Sequence, residues 1–125
     1  MRRALLPFSV ALLFTLASCN SPGPVAPPEN VTYADVQAVF DAHCVECHGD
    51  DDPEGDLVLL NRASLMKGGE DGPVIVAGNP DRSRLNRMVE WRQKPYMPFV
   101  KKGRKKKLPA DAIAILRAWV ADGAR

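Results

Sequence analysis

Apolar positions recur at helical spacing in three stretches of this chain and alternate at strand spacing in none. From Thr32 to Cys47, Val36, Val39, Phe40 and Cys44 fall on one sector of a 3.6-residue repeat, which predicts a helix over 32–47. Thr32 stands at its start with Asp35 three residues on, the pattern of a capping box, and Gly49 stands past its end. A second stripe of Leu85, Met88 and Val89 runs up to Trp91; Asn79-Pro80 ahead of it reads as an N-cap followed by proline at the first helical position. The third covers Pro109 to Asp122, with Ile113, Leu116, Trp119 and Val120 on one face and Gly123 beyond. A shorter helix is expected over Asn61–Lys67, closed by Gly68-Gly69. The polar run Asp50–Asp56 is a loop, after which Leu57–Leu60 return as apolar cover. The expected domain is all-α.

The N-terminal residues follow a different pattern. Arg2 and Arg3 precede an apolar run from Ala4 to Ala17 that is too short to span a bilayer as a helix, so residues 1–18 read as an export signal. Leu16-Ala17-Ser18-Cys19 is similar to the lipobox of bacterial lipoproteins, which implies cleavage before Cys19 and a lipid on its sulfur. Residues 19–30 contain four prolines and little to bury, and are expected to form a semi-extended tether. Residues 31–125 are left as one small domain. Removing the signal leaves fifteen basic and fifteen acidic side chains, so no overall charge argues for nucleic acid as a partner.

The residues richest in chemistry are Cys44-Val45-Glu46-Cys47-His48. Two thiols three apart can form thioethers with the two vinyl groups of one porphyrin, and a histidine directly after them can ligate its iron, so C-x-x-C-H reads as the attachment site of one covalent haem c. Such a group would also enlarge the apolar core of a domain this small. Reading Cys44, Cys47, His43 and His48 as a zinc site or a thiol redox pair is less consistent, because zinc-binding pairs normally come from separate segments.

The opposite face of the iron is the next question. His43 lies on the attachment helix and cannot reach it, which leaves the methionines. Met88 is placed for core packing and Met66 ends a short helix. Met97 lies in the proline-stiffened loop Lys94-Pro95-Tyr96-Met97-Pro98-Phe99, 49 residues after His48, enough chain to cross to the far side. Met97 is the expected sixth ligand, with ordinary packing in a loop as the alternative.

Together these residues resemble the planctomycete-type cytochrome c domain, a small relative of class I cytochromes c. The resemblance rests on Phe40 ahead of Cys44–Gly49, on Gly55–Leu59, Leu65–Glu70 with Gly72-Pro73, Val76–Pro80, Met97-Pro98 and the closing Trp119-Val120 helix. It implies a class I cytochrome c-like fold, about three main helices around one haem, with Cys44 and Cys47 as thioether sites and His48 and Met97 as axial ligands. The chain departs from the family pattern at Phe99, where a second proline is usual, at Asp56, where glycine is usual, and at Pro109, where Ser or Thr caps.

The function these features predict is single-electron transfer by a monomeric carrier, not an enzyme, lipid-anchored on the periplasmic side of a bacterial membrane. A haem enzyme or gas sensor with a labile or absent sixth ligand is the rival. The run Lys101–Lys107 puts six positive charges in seven residues just after the Met97 loop, where it would steer an acidic redox partner or remain a solvated loop. Pro53 is a candidate acceptor for the His48 ring N–H. Trp91, Tyr96 and Arg92 are candidate partners for haem propionates.

Overall fold

The computed structural model describes residues 26–99 and 106–125. The expected signal, Cys19, most of the tether and the greater part of the Lys101–Lys107 run lie outside the described residues. The described chain forms α1 (Tyr33–His43), a 3-10 turn (Glu54–Asp56), α2 (Arg62–Lys67), α3 (Arg84–Val89) and α4 (Ala110–Ala121). Among the described residues the only β feature is an isolated Gly69–Gly72 bridge, as the helical periodicity predicts. No described helix is long and apolar enough to cross a membrane. Two of the four helices are full elements and two are single short turns of six residues.

α1 begins where the capping pattern places it. The Asp35 carboxylate accepts from the Thr32 backbone N–H at 2.8 Å and from its hydroxyl at 2.7 Å. These bonds hold the Asp35 carboxyl below its ordinary range. The helix ends earlier than predicted, at His43, and Cys44 caps it with φ −129° and ψ −38°. The Phe40 carbonyl takes both the Cys44 and Val45 N–H groups (2.8 and 3.1 Å), and the Cys44 carbonyl takes those of Cys47 and His48 (3.2 and 3.0 Å). This change of bonding pattern winds residues 44–48 into tight turns, so the motif follows the helix and does not form its last turn.

α3 departs more. Asn79-Pro80 opens a turn: the Asn79 side chain accepts from Arg82 N–H at 3.1 Å, and the helix starts only at Arg84. The cause is Ser83, which is fully buried. Its hydroxyl oxygen accepts from Val76 N–H at 2.9 Å and lies 2.9 Å from the Asn79 carbonyl, to which it can donate. That buried staple fixes the turn ahead of the helix. α2 agrees with expectation, with the Asn61 side chain accepting from Ser64 N–H at 2.9 Å and Gly68 at φ 82° ending it.

α4 packs against α1 and α3. Val36, Val39 and Phe40 of α1, Leu85 and Val89 of α3, and Leu116, Trp119 and Val120 of α4 share one core with Leu59, Leu65, Val74 and Ile75. Fully burying one such large side chain stabilises by about 1.5–3 kcal/mol. The Tyr33 ring tilts against Trp119 with centroids 5.6 Å apart, and the Trp119 indole donates to the Arg125 carbonyl at 2.8 Å. Cys44, Val45, Leu57, Met66 and Met97 are half-buried against this same core, and this brings the sequence motif and the distal loop onto one apolar body.

A candidate haem site built from two supports

The first support carries Cys44, Cys47 and His48. Both cysteines are free thiols, Cys47 exposed and Cys44 partly buried. Burial first, then the neighbouring Cys47, pushes the Cys44 thiol up to about 11. His48 is oriented from three directions. Its N–H donates to the Cys44 carbonyl, its own carbonyl accepts from Leu59 N–H at 2.8 Å, and its ring Nδ1 lies 3.2 Å from the Leu57 carbonyl. A carbonyl only accepts, so Nδ1 carries the proton in this bond, and in the neutral imidazole Nε2 then keeps its lone pair. The acceptor is therefore Leu57 and not Pro53, whose carbonyl takes the Asp56 N–H at 3.0 Å.

Leu57 is in turn set by a close backbone approach. An added Cβ at Gly69 would lie 2.3 Å from the Gly55 carbonyl oxygen and 3.2 Å from both the nitrogen and Cβ of Leu57. The 68–72 turn thus closes directly on the segment that orients His48, and Glu70 N–H donates to that same Gly55 oxygen at 2.9 Å. Asp56 adopts φ 55°, a left-handed conformation that Asp tolerates better than most residues.

The second support carries Met97. The Met88 carbonyl, at the end of α3, accepts both Trp91 N–H at 3.1 Å and Met97 N–H at 3.2 Å. The Met97 carbonyl accepts from the Trp91 indole at 3.0 Å, and Trp91 stacks on Tyr96 with centroids 5.5 Å apart and planes 15° from parallel. Trp91 and Tyr96 are therefore engaged within the loop. Arg92 pairs with Glu90 at 2.5 Å and Asp81 at 3.0 Å. Arg117 of α4 joins the same two carboxylates, at 2.9 Å to Glu90 and 2.8 Å to Asp81. All three candidate propionate partners thus have partners within the protein. Met88 is buried and Met66 half-buried, the packing places expected of them.

The donor set suits a covalent haem: two free thiols and an imidazole with an open Nε2 in one tight turn, and a thioether in a separately anchored loop. Among the described residues no three His, Cys, Asp or Glu side chains are grouped to hold a metal ion. On α3, Asn86 is fully buried with neither side-chain polar atom hydrogen-bonded, a place where a non-protein group, water included, would complete the packing. Leu57, whose carbonyl takes the His48 ring N–H, and Trp91, whose indole donates to the Met97 carbonyl, are contacts that sequence reasoning missed. The return of apolar residues after Asp56 was the available signal for Leu57. For Trp91 there was only its place six residues before Met97.

No curated protein and no solved structure matches the chain. Residues 44–98 match the family model described as Planctomycete cytochrome C. The matched segment opens on the first thiol and closes one residue past Met97, so over this stretch the chain is similar to planctomycete cytochrome c, a likeness that suggests a haem-binding, electron-transfer role.

Proposed function

We propose that this protein is a monohaem electron carrier tethered to the periplasmic side of a bacterial membrane. The observation that carries the reading is the His48 ring, bonded through Nδ1 to Leu57 in a C-x-x-C-H turn so that Nε2 is free to ligate iron. In this reading Cys44 and Cys47 form the thioethers, His48 is the proximal ligand and Met97 the distal one. When bound, the haem supplies a one-electron Fe(II)/Fe(III) couple. The protein's part is to keep both axial side chains in place through the cycle and to surround them with apolar groups such as Leu57 and Met66. Two axial ligands retained in both redox states minimise rearrangement, which favours a carrier over a haem enzyme or gas sensor.

The rest of the chain is assigned to delivery. Residues 1–18 direct export, lipidated Cys19 anchors the mature protein, and residues 19–30 space the domain by roughly 3 Å per residue from the lipid surface. Residues 31–125 act as a monomeric redox domain, and an acidic partner protein docks near Lys101–Lys107. The mass of the purified mature protein tests haem addition, signal cleavage and lipidation together; a mass without haem overturns the reading. Met97→Ala tests the distal ligand. The ferric spectrum is expected to change from low-spin to high-spin, with loss of the far-red methionine–iron band, and an unchanged spectrum removes Met97 from the iron.

A further inference from the structure

We propose that Trp91 is the positioning residue of Met97, clamping the loop that presents the thioether so that exchange of the sixth ligand is slow and weak. The inference rests on the reading of Met97 as distal ligand and extends it to the residue that would hold that ligand in place.

Four contacts close residues 88–97 into a ring. The Met88 carbonyl accepts the N–H groups of both Trp91 and Met97, the Trp91 indole donates back to the Met97 carbonyl at 3.0 Å, and the Trp91 ring stacks on Tyr96. The backbone on both sides of the Met97 Cα is thereby fixed, its N–H by α3 and its C=O by the indole. Trp91 itself sits at φ 64°, a conformation a bulky residue adopts only where its surroundings over-determine it. Those surroundings are visible. The Arg87 carbonyl accepts from Arg92 N–H at 2.8 Å and from Gln93 N–H at 3.1 Å, and the Arg87 guanidinium donates to the Gln93 side chain at 2.6 Å. The left-handed turn at Trp91 brings its side chain back across the loop to reach a carbonyl six residues on.

The molecule contains its own control. Trp119 also donates its indole N–H to a carbonyl six residues on, at 2.8 Å to Arg125, and it also packs on a tyrosine, Tyr33. Trp119 is almost fully buried in the core. The same device serves stability there, and at Trp91 it bears on Met97.

The test uses ferric holoprotein titrated with imidazole, which competes with methionine for iron. Trp91→Phe keeps an aromatic ring and removes the donor. It is expected to remain low-spin with its methionine band yet bind imidazole about three- to tenfold more tightly, the fold-change matching one net hydrogen bond. Trp119→Phe is expected to lower the unfolding midpoint and leave imidazole affinity at the wild-type value. Wild-type affinity in Trp91→Phe, or an equal gain in both variants, overturns the positioning role. Met97→Ala separates this failure from failure of the ligand assignment, since an unchanged spectrum there removes the ligand itself. If Trp91→Phe does not accumulate as holoprotein, Tyr96→Leu weakens the same clamp through the stack. It must move imidazole affinity in the same direction, and no change overturns the proposal.

Discussion

His48 and Met97 are secured by different kinds of contact. On the His48 side every accepting group is a backbone carbonyl close in sequence: that of Cys44 for the His48 N–H, that of His48 for the Leu59 N–H, and that of Leu57 for the imidazole. On the Met97 side backbone bonds to the Met88 carbonyl are joined by side chains, an indole six residues away and a cluster of three arginines and two carboxylates that reaches from Asp81 to Arg117. A backbone-built support is insensitive to most substitutions and fails mainly where a side chain is added to a close approach. A support built from side chains can be weakened in steps. The His48 side is therefore the rigid reference and the Met97 side the adjustable one, a useful division under the proposed ligation, where Met97 would compete with other molecules for iron.

The largest break of this contrast is Gly69→Ala. A methyl group 2.3 Å from the Gly55 oxygen forces the 54–57 segment away from the 68–72 turn. Loss of about 3 kcal/mol of stability is expected in denaturant titration, at the upper end of overpacking costs, together with a shift in reduction potential as the Leu57–His48 bond lengthens. Gly72→Ala sharpens the result. Its φ is 85° but nothing lies within 4 Å of the added atom, so about 1 kcal/mol of backbone strain is expected without the potential shift.

Glu90→Gln should act on the other side and by less. Glu90 is 13% exposed and bonded to both Arg92 and Arg117, so a loss of about 1 kcal/mol or less is expected. Imidazole affinity should rise slightly while the potential shift seen in Gly69→Ala is absent. A Glu90→Gln protein with wild-type imidazole binding would detach this ion cluster from the Met97 loop.

The two sides also differed in how far the sequence disclosed them. The thiols, His48 and the capped start of α1 were legible because each follows from a local rule, a spacing or a Thr-to-Asp offset. The early end of α1 at His43 was not, because the periodicity of Cys44 and Cys47 continues past the point where the Phe40 and Cys44 carbonyls each take two donors. Asn79-Pro80 carried a strong local start signal, yet the buried hydroxyl of Ser83, a tertiary contact with Val76, moved the helix to Arg84. Arg92 and Tyr96 looked available for an anionic ligand because their partners, Asp81 and Trp91, are matched to them only by the fold. The Met97 support depends on side-chain pairings, Trp91 with Met97 and Asp81 with Arg117, that follow no spacing rule, so these anchors could not be read from the sequence.

Acid provides the finest comparison. The Asp81 carboxyl is held below its ordinary range, first by its hydrogen bond from Arg117 and, after opposing desolvation, by the charges of Arg117 and Arg92. Asp35, at the start of the helix that leads to the thiols, is held low by its bonds from Thr32. A carboxylate depressed in the folded state stabilises it fully above the unfolded value of about 3.9, and this contribution disappears as pH falls through the folded value. Asp81→Asn and Asp35→Asn are therefore both expected to lower the unfolding midpoint near neutral pH, with each gap to wild type closing below about pH 4. Only Asp81→Asn should also raise imidazole affinity at neutral pH, because only Asp81 joins the cluster behind the Met97 loop. Equal imidazole affinity in the two variants would mean that the arginine cluster stabilises the domain as a whole and that the two supports are not separable.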